Sequence, residues 1–184
     1  VGNGAMAHPP PRSSSAVLDL LLSLAGQRES ALPPAEDRGG EGLSTYQTSS
    51  QPVAAWESAY LRFQTREREV RKHFRRLRRL GVHRWPRNAC VLDLFCGSGA
   101  GLVAIERLGF ADVIGVDRSA RLLATYTGRF PCFEADGRDL ARLASGSFDL
   151  VIIQGGLHHL ERLHEDLPRV LGEVWRVLDE AGTL

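Results

Sequence analysis

Four short stretches carry side chains whose types and spacing could do chemistry. The first is Val91-Leu92-Asp93-Leu94-Phe95-Cys96-Gly97-Ser98-Gly99, an acid near the end of an apolar run followed by a glycine turn. Missing side chains at Gly97 and Gly99 let backbone approach a ligand. A helix opening at this turn would offer unpaired N–H groups to a carboxylate. Asp93 could receive an ammonium, so acid and turn together suit an amino-acid zwitterion. The second feature is Asp117, 24 positions after Asp93. An acid at such a strand end suits ribose hydroxyls. The third is Asp136-Gly137, a carboxylate and a backbone N–H matched to an adenine edge. The fourth is Gln154-Gly155-Gly156-Leu157-His158-His159. Singly, a G-x-G is only a tight turn; the ordered set is what has meaning.

These positions require a framework that gathers strand ends. Ala89 to Phe95 reads as a first buried strand, and Ala100 to Leu108 as a helix closed by Gly109. Asp112 to Val116 is a second strand ending at Asp117, and Ser119 is placed to cap a helix through about Tyr126. Cys132 to Ala135 is a short third strand. Phe148 to Gln154 is a fourth, rich in the β-branched residues of a buried parallel strand. Glu165 to Leu178 is a long helix, and Gly182-Thr183-Leu184 reads as the start of strand five. Alternating strands and helices imply an α/β fold with a doubly wound, mainly parallel sheet. Ligands of such sheets lie outside the carboxyl ends of the strands, where all four stretches converge. On this reading the sheet stops at the start of strand five and leaves the position beside strand four uncovered.

The rest of the chain divides by composition. Residues 1–50 are rich in Pro, Ser, Gly and Gln and read as a low-complexity, disordered segment. Residues 51–87 read as an N-terminal helical lid, and 88–184 as the incomplete cofactor-binding domain. Trp56, Tyr60, Phe63, Val70, Phe74 and Leu77 recur at helical spacing, with Thr65 as an N-cap between two helices. The opposite face holds Arg66, Arg68, Arg71, Lys72, Arg75, Arg76, Arg78 and Arg79. With a net charge of +1, this stripe reads as a solvated face rather than a nucleic-acid surface. The apolar run Ala16 to Leu22 is too short to span a bilayer, so no membrane association is expected. Three cysteines, Cys90, Cys96 and Cys132, lack metal-site spacing. They read as small buried residues in a reducing cytoplasm, and no metal is expected.

Asp93-Leu94-Phe95-Cys96-Gly97-Ser98-Gly99 resembles motif I of the class I S-adenosylmethionine-dependent methyltransferases. Gly115-Val116-Asp117 and Glu134-Ala135-Asp136-Gly137 resemble their second and third motifs. Ser147-Phe148-Asp149-Leu150-Val151 with Leu157-His158-His159 is similar to the fourth in the small-molecule-type branch. Arg176-Val177-Leu178-Asp179-Glu180-Ala181-Gly182 resembles the stretch before strand five. The resemblance implies a Rossmann-like sheet and S-adenosyl-L-methionine as cofactor. It places Asp93, Gly97 and Gly99 around the methionine part and Asp117 at the ribose hydroxyls, with Ser98 and Arg118 also among the cofactor-binding residues. Asp136 and Gly137 fall at the adenine, and Gln154 beside the methionine and the reacting methyl. Asp149 reads as structural. Tyr60 and Phe63 would belong to a lid over the acceptor pocket. Phe95 departs from the pattern, standing where many members have the first glycine of the turn.

The implied chemistry is an in-line methyl displacement that needs alignment, exclusion of water and, for some acceptors, removal of a proton. Histidine suits that last task. His158 is the candidate base, with His159 behind it, and His164 reads as a surface residue. Cys96 lies in the cofactor turn, the wrong side for a nucleophile toward a base. The acceptor reads as a small molecule, methylated on O or N. The alternatives are an RNA methyltransferase on the same fold and a non-catalytic fragment. Against RNA, Gln154-Gly155-Gly156-Leu157 stands where exocyclic-amine enzymes carry Asn/Asp-Pro-Pro-aromatic. A dinucleotide dehydrogenase is disfavoured because Leu102 occupies the third glycine of G-x-G-x-x-G.

Overall fold

The computed structural model describes residues 65–184. Trp56, Tyr60, Phe63 and the segment before them lie outside the described residues, and with them the lid assignment.

Apolar residues at helical spacing build α1, Arg66–Arg79, which buries Val70 and Leu77 and leaves its arginines exposed. Thr65 occupies the N-cap in extended conformation, but its side chain makes no capping hydrogen bond. A short 3-10 turn, Val82–Arg84, leads to β1, Cys90–Leu94, which is buried throughout. Then follow α2, Ala100–Arg107; β2, Asp112–Asp117; α3, Ala120–Leu123; and β3, Cys132–Glu134. The chain continues through β4, Phe148–Ile152, a 3-10 turn at Leu157–His159, α4, Leu163–Val177, and β5, Leu178–Thr183.

The strands lie in the order β3-β2-β1-β4-β5, and every pairing is parallel. The chain thus winds outward from β1 in both directions, and the switch point between β1 and β4 is where such sheets bind ligands. Apolar side chains alternate through the sheet into two cores. One, with Val91, Leu102, Ile105, Phe110 and Leu150, receives α1 and α2. The other, with Leu92, Leu94, Ile114, Phe148 and Val151, receives Val170, Val174 and Val177 of α4. Each such fully buried side chain contributes roughly 1.5–3 kcal/mol.

Four expectations need correction. Helix α3 ends at Leu123, not Tyr126. The Thr125 hydroxyl donates to the Leu122 carbonyl, and the Tyr126 ring is drawn against Gly99 instead of continuing the helix. Strand β5 begins at Leu178, four residues before Gly182, because Leu178 turns extended at once and pairs with Phe148. Strand β4 therefore has a neighbour: Leu150 pairs with Thr183 across a register shift. Finally, Cys132 is only half-buried, since β3 is short and sits at a sheet edge.

Candidate functional site

Parallel register carries Asp93 to the end of β1, beside Gly115 of β2 and Ile152 of β4. Its side chain shares the face of α1 and α2, and the residue is 3% exposed. Its Oδ2 has no hydrogen-bond partner among the described residues. A Cβ placed on Gly101 would stand 2.4 Å from that oxygen, so the first turn of α2 can cover Asp93 only because residue 101 is glycine. Burial, and then the Asp117 carboxylate, push the Asp93 carboxyl up to about 7.

The turn after β1 is built from left-handed backbone: Phe95, Gly97 and Gly99 have φ of 63°, 54° and 79°. Phe95 is the one non-glycine residue in this region of φ among the described residues, at a cost of roughly 1–2 kcal/mol. Its ring fills the gap between the loops after β3 and β4. A Cβ on Gly137 would meet it at 2.6 Å, and one on Gly156 at 2.4 Å. The aromatic that replaces the family's first glycine is thus accommodated by two glycines elsewhere. Asp117, also buried, ties the turn to β2: its Oδ2 accepts from Gly97 N–H at 2.8 Å and its Oδ1 from Ser119 N–H at 2.8 Å. Each oxygen keeps a second lone pair for a ligand hydroxyl.

Beyond β3 the chemistry is different. Asp136 accepts from the Arg138 backbone N–H and Nε at 2.8 and 2.9 Å, and from its terminal nitrogen at 2.6 Å. The same guanidinium donates at 3.0 Å to Asp166, a fully buried acid on α4. The Arg138 guanidinium holds both carboxyls below the usual carboxylate range. Most of the hydrogen-bonding capacity of Asp136 is therefore used. Arg118 and Asp136 line one open cleft together with Phe133, Glu134, Ala135 and Arg142.

After β4, Gln154 keeps both amide heteroatoms buried and without a partner among the described residues. His158 is exposed and His159 half-buried, with ring centroids 3.9 Å apart. His159 lies within electrostatic reach of Arg118 and Asp117. Burial, then His158 and Arg118, hold its pKa below the usual histidine value. His164 is exposed near Glu165.

Two groups escaped the sequence reading. Asp166 and Arg138 form a brace that no motif contains. His73 projects from α1 next to Gln154, although no formed hydrogen bond joins them, and its Nδ1 is buried and unpartnered. A signal for His73 existed: it lies three residues after Val70 and four before Leu77, on the buried side of α1. Cys96 and Cys132 both face the gap left by Gly115, with sulfurs 2.9 and 3.4 Å from where a Cβ would stand. Cys132, then burial, push the Cys96 thiol up, so it is no nucleophile.

The family model of the methyltransferase domain matches residues 92–184, half of the chain. Among solved structures, the chain is similar to a SAM-dependent methyltransferase from Archaeoglobus fulgidus. That likeness has 25% identity and a TM-score of 0.54 over 69% of this chain and 53% of that one. It is also similar to the PH0226 protein from Pyrococcus horikoshii, at 30% identity and a TM-score of 0.53 over 61% and 51%. An uncharacterized protein of Haemophilus influenzae is 30% identical over 104 residues, 51% of this chain and 39% of that protein. The chain thus spans about half or less of the length of these relatives. No helix among the described residues is long and apolar enough to cross a membrane. With the ordered strand-end acids, the glycine turn and the parallel sheet in place, the match places this chain in the class I S-adenosylmethionine-dependent methyltransferases.

Proposed function

We propose that the chain is the cofactor-binding part of an enzyme that transfers a methyl group from S-adenosylmethionine to a small-molecule nucleophile. One observation carries the reading: Asp93 and Gln154, at neighbouring strand ends, hold three buried polar atoms without partners. Such atoms cost stability, about 1–3 kcal/mol each. An amino-acid group supplies what they lack, an ammonium for Asp93 and a carboxylate for the Gln154 amide.

The remaining residues fit the rest of the cofactor. Asp117 would take the ribose hydroxyls on its free lone pairs, with Arg118 at the rim. Gly97, Ser98 and Gly99 would bring backbone close to the methionine part. Asp136 and the Gly137 N–H would meet the adenine edge. When bound, S-adenosylmethionine supplies an electrophilic sulfonium methyl. The protein then has to align the acceptor and exclude water. Phe95 closes the floor between the loops after β3 and β4. His159, half-buried, within electrostatic reach of Asp117 and Arg118 and held toward its neutral form, is the better-placed base of the pair, with exposed His158 behind it. Tyr60 and Phe63 would cover the acceptor. A small-molecule acceptor is supported by Gln154-Gly155-Gly156-Leu157 in place of an amine-methylating motif.

Calorimetry of the chain with S-adenosylmethionine and its demethylated product tests this reading. Both ligands should bind, and Asp117→Ala should weaken both about tenfold or more through lost hydroxyl contacts. Binding of a nicotinamide dinucleotide with failure to bind either ligand would end it.

A further inference from the structure

Five buried side-chain polar atoms lack partners among the described residues: His73 Nδ1, His83 Nδ1, Asp93 Oδ2, and Nε2 and Oε1 of Gln154. Four of the five belong to three residues placed around the β1–β4 switch point. Asp93 is paired in register with Ile152, two residues before Gln154. His73 comes from a different element, α1, and stands beside Gln154. Helix α1 packs on α2, whose first turn covers Asp93. A fold does not leave four unsatisfied atoms together without cost, so their shared chemistry describes what they receive.

We propose that His73 is a cofactor-binding residue that, with Gln154, donates to the α-carboxylate of S-adenosylmethionine while Asp93 takes the α-ammonium. The inference rests on the function proposed above and adds a residue outside the segment that the family model matches. The inventory closes on the zwitterion. Asp93 Oδ2 and Gln154 Oε1 accept from the ammonium, and Gln154 Nε2 and a protonated His73 Nδ1 donate to the carboxylate. Of the two cations near His73, Lys72 is held by Glu69 at 2.9 Å and Arg76 is exposed. Burial is the main influence that holds the imidazole toward its neutral form, and an arriving carboxylate would favour its proton. His159 is set apart, since, besides His158, the charges acting on it are those of Asp117 and Arg118.

Two ligands separate the ends of the cofactor: S-adenosylhomocysteine, which has the amino-acid group, and 5′-methylthioadenosine, which lacks it. For the wild-type chain, calorimetry should show binding of both, the first more tightly. His73→Ala should weaken S-adenosylhomocysteine about tenfold to a hundredfold, as expected for a lost hydrogen bond to a charged group. The same variant should hold 5′-methylthioadenosine with unchanged affinity, which also shows that it folds. His73→Asn, whose amide nitrogen can reach the position of Nδ1, should recover part of the loss. The proposal is overturned if His73→Ala leaves S-adenosylhomocysteine affinity within about twofold of wild type. It is equally overturned if either variant loses both ligands in parallel, since His73 would then support the fold and not the amino-acid end. A wild-type chain that binds neither ligand defeats the functional reading itself, an outcome plainly different from these two.

Discussion

Two places along the carboxyl edge of the sheet solve opposite problems with the same kinds of residue. At the β1–β4 end, Asp93, Gln154 and His73 each carry buried polar atoms that are unpaired among the described residues. At the β3 end, Asp136, Arg138 and Asp166 are joined to one another, and nearby Glu173 accepts from Arg176 and from the Leu140 N–H at 2.6 Å. One end lacks partners and the other supplies its own. Unpaired buried groups are held in place at a cost in stability, which a ligand can return as affinity. Mutually paired groups brace the loop after β3 against α4 and leave a ligand only the remaining lone pair of Asp136 and the Gly137 N–H. The difference separates binding from scaffolding better than residue type does, since both ends contain aspartates at strand termini.

The strongest way to break this comparison is Asp93→Asn. It should weaken S-adenosylhomocysteine by about a hundredfold, because a charge-assisted bond to an ammonium is lost. The melting temperature of the ligand-free chain at pH 8 should hold or rise, since the variant removes a buried unpaired charge. A clear fall in melting temperature would make Asp93 a structural residue and erase the contrast.

A smaller, graded effect should follow from pH. The Asp93 carboxyl is raised to about 7, so between its ordinary value and 7 the folded chain holds a proton that the unfolded chain releases. Its ionisation therefore removes stability as pH rises through that window, and the cost is complete above 7. Ligand binding runs the other way. An ammonium needs the carboxylate, so affinity for S-adenosylhomocysteine should fall below pH 7 by up to about tenfold per unit. Calorimetry in buffers of different ionisation enthalpy near pH 6 should register more proton release on binding in wild type than in Asp93→Asn, by up to about one proton. Equal proton release in the two would assign the titration elsewhere.

The smallest effect on affinity belongs at the other end. Arg138→Ala strips partners from Asp136 and from buried Asp166, and should lower the melting temperature by several degrees. S-adenosylhomocysteine affinity should change by less than about fivefold, because the brace is already satisfied without ligand. A hundredfold loss with an unchanged melting temperature would show that the β3 end binds and does not merely brace.

Much of this is legible in the amino-acid sequence. Alternating apolar runs and turn residues place strands at Val91, Val113, Phe133 and Val151, because a buried parallel strand needs an unbroken apolar stretch. The Ser119 cap was also readable and forms, its hydroxyl oxygen accepting from Leu122 N–H at 3.1 Å. Where the reading failed, a distant contact overrode a local preference. Tyr126 leaves its helix to lie against Gly99, and Leu178 leaves its own to pair with Phe148.

By itself, then, the sequence determined the alternation of elements, the acids at strand ends and the glycine turn, all of which depend on neighbours within a few residues. Only the tertiary structure decided which polar groups are satisfied. Asp93 and Asp136 look alike in the chain. The first is sealed under Gly101 with its Oδ2 unpartnered among the described residues, and the second is gripped by Arg138, itself anchored by an acid 28 residues away on α4. The same holds for His73, whose relation to Gln154 spans some 80 residues of chain and exists only because α1 packs beside the end of β4. Hydrogen-bond satisfaction is a property of assembled surfaces, where water has been removed and partners arrive from anywhere in the chain.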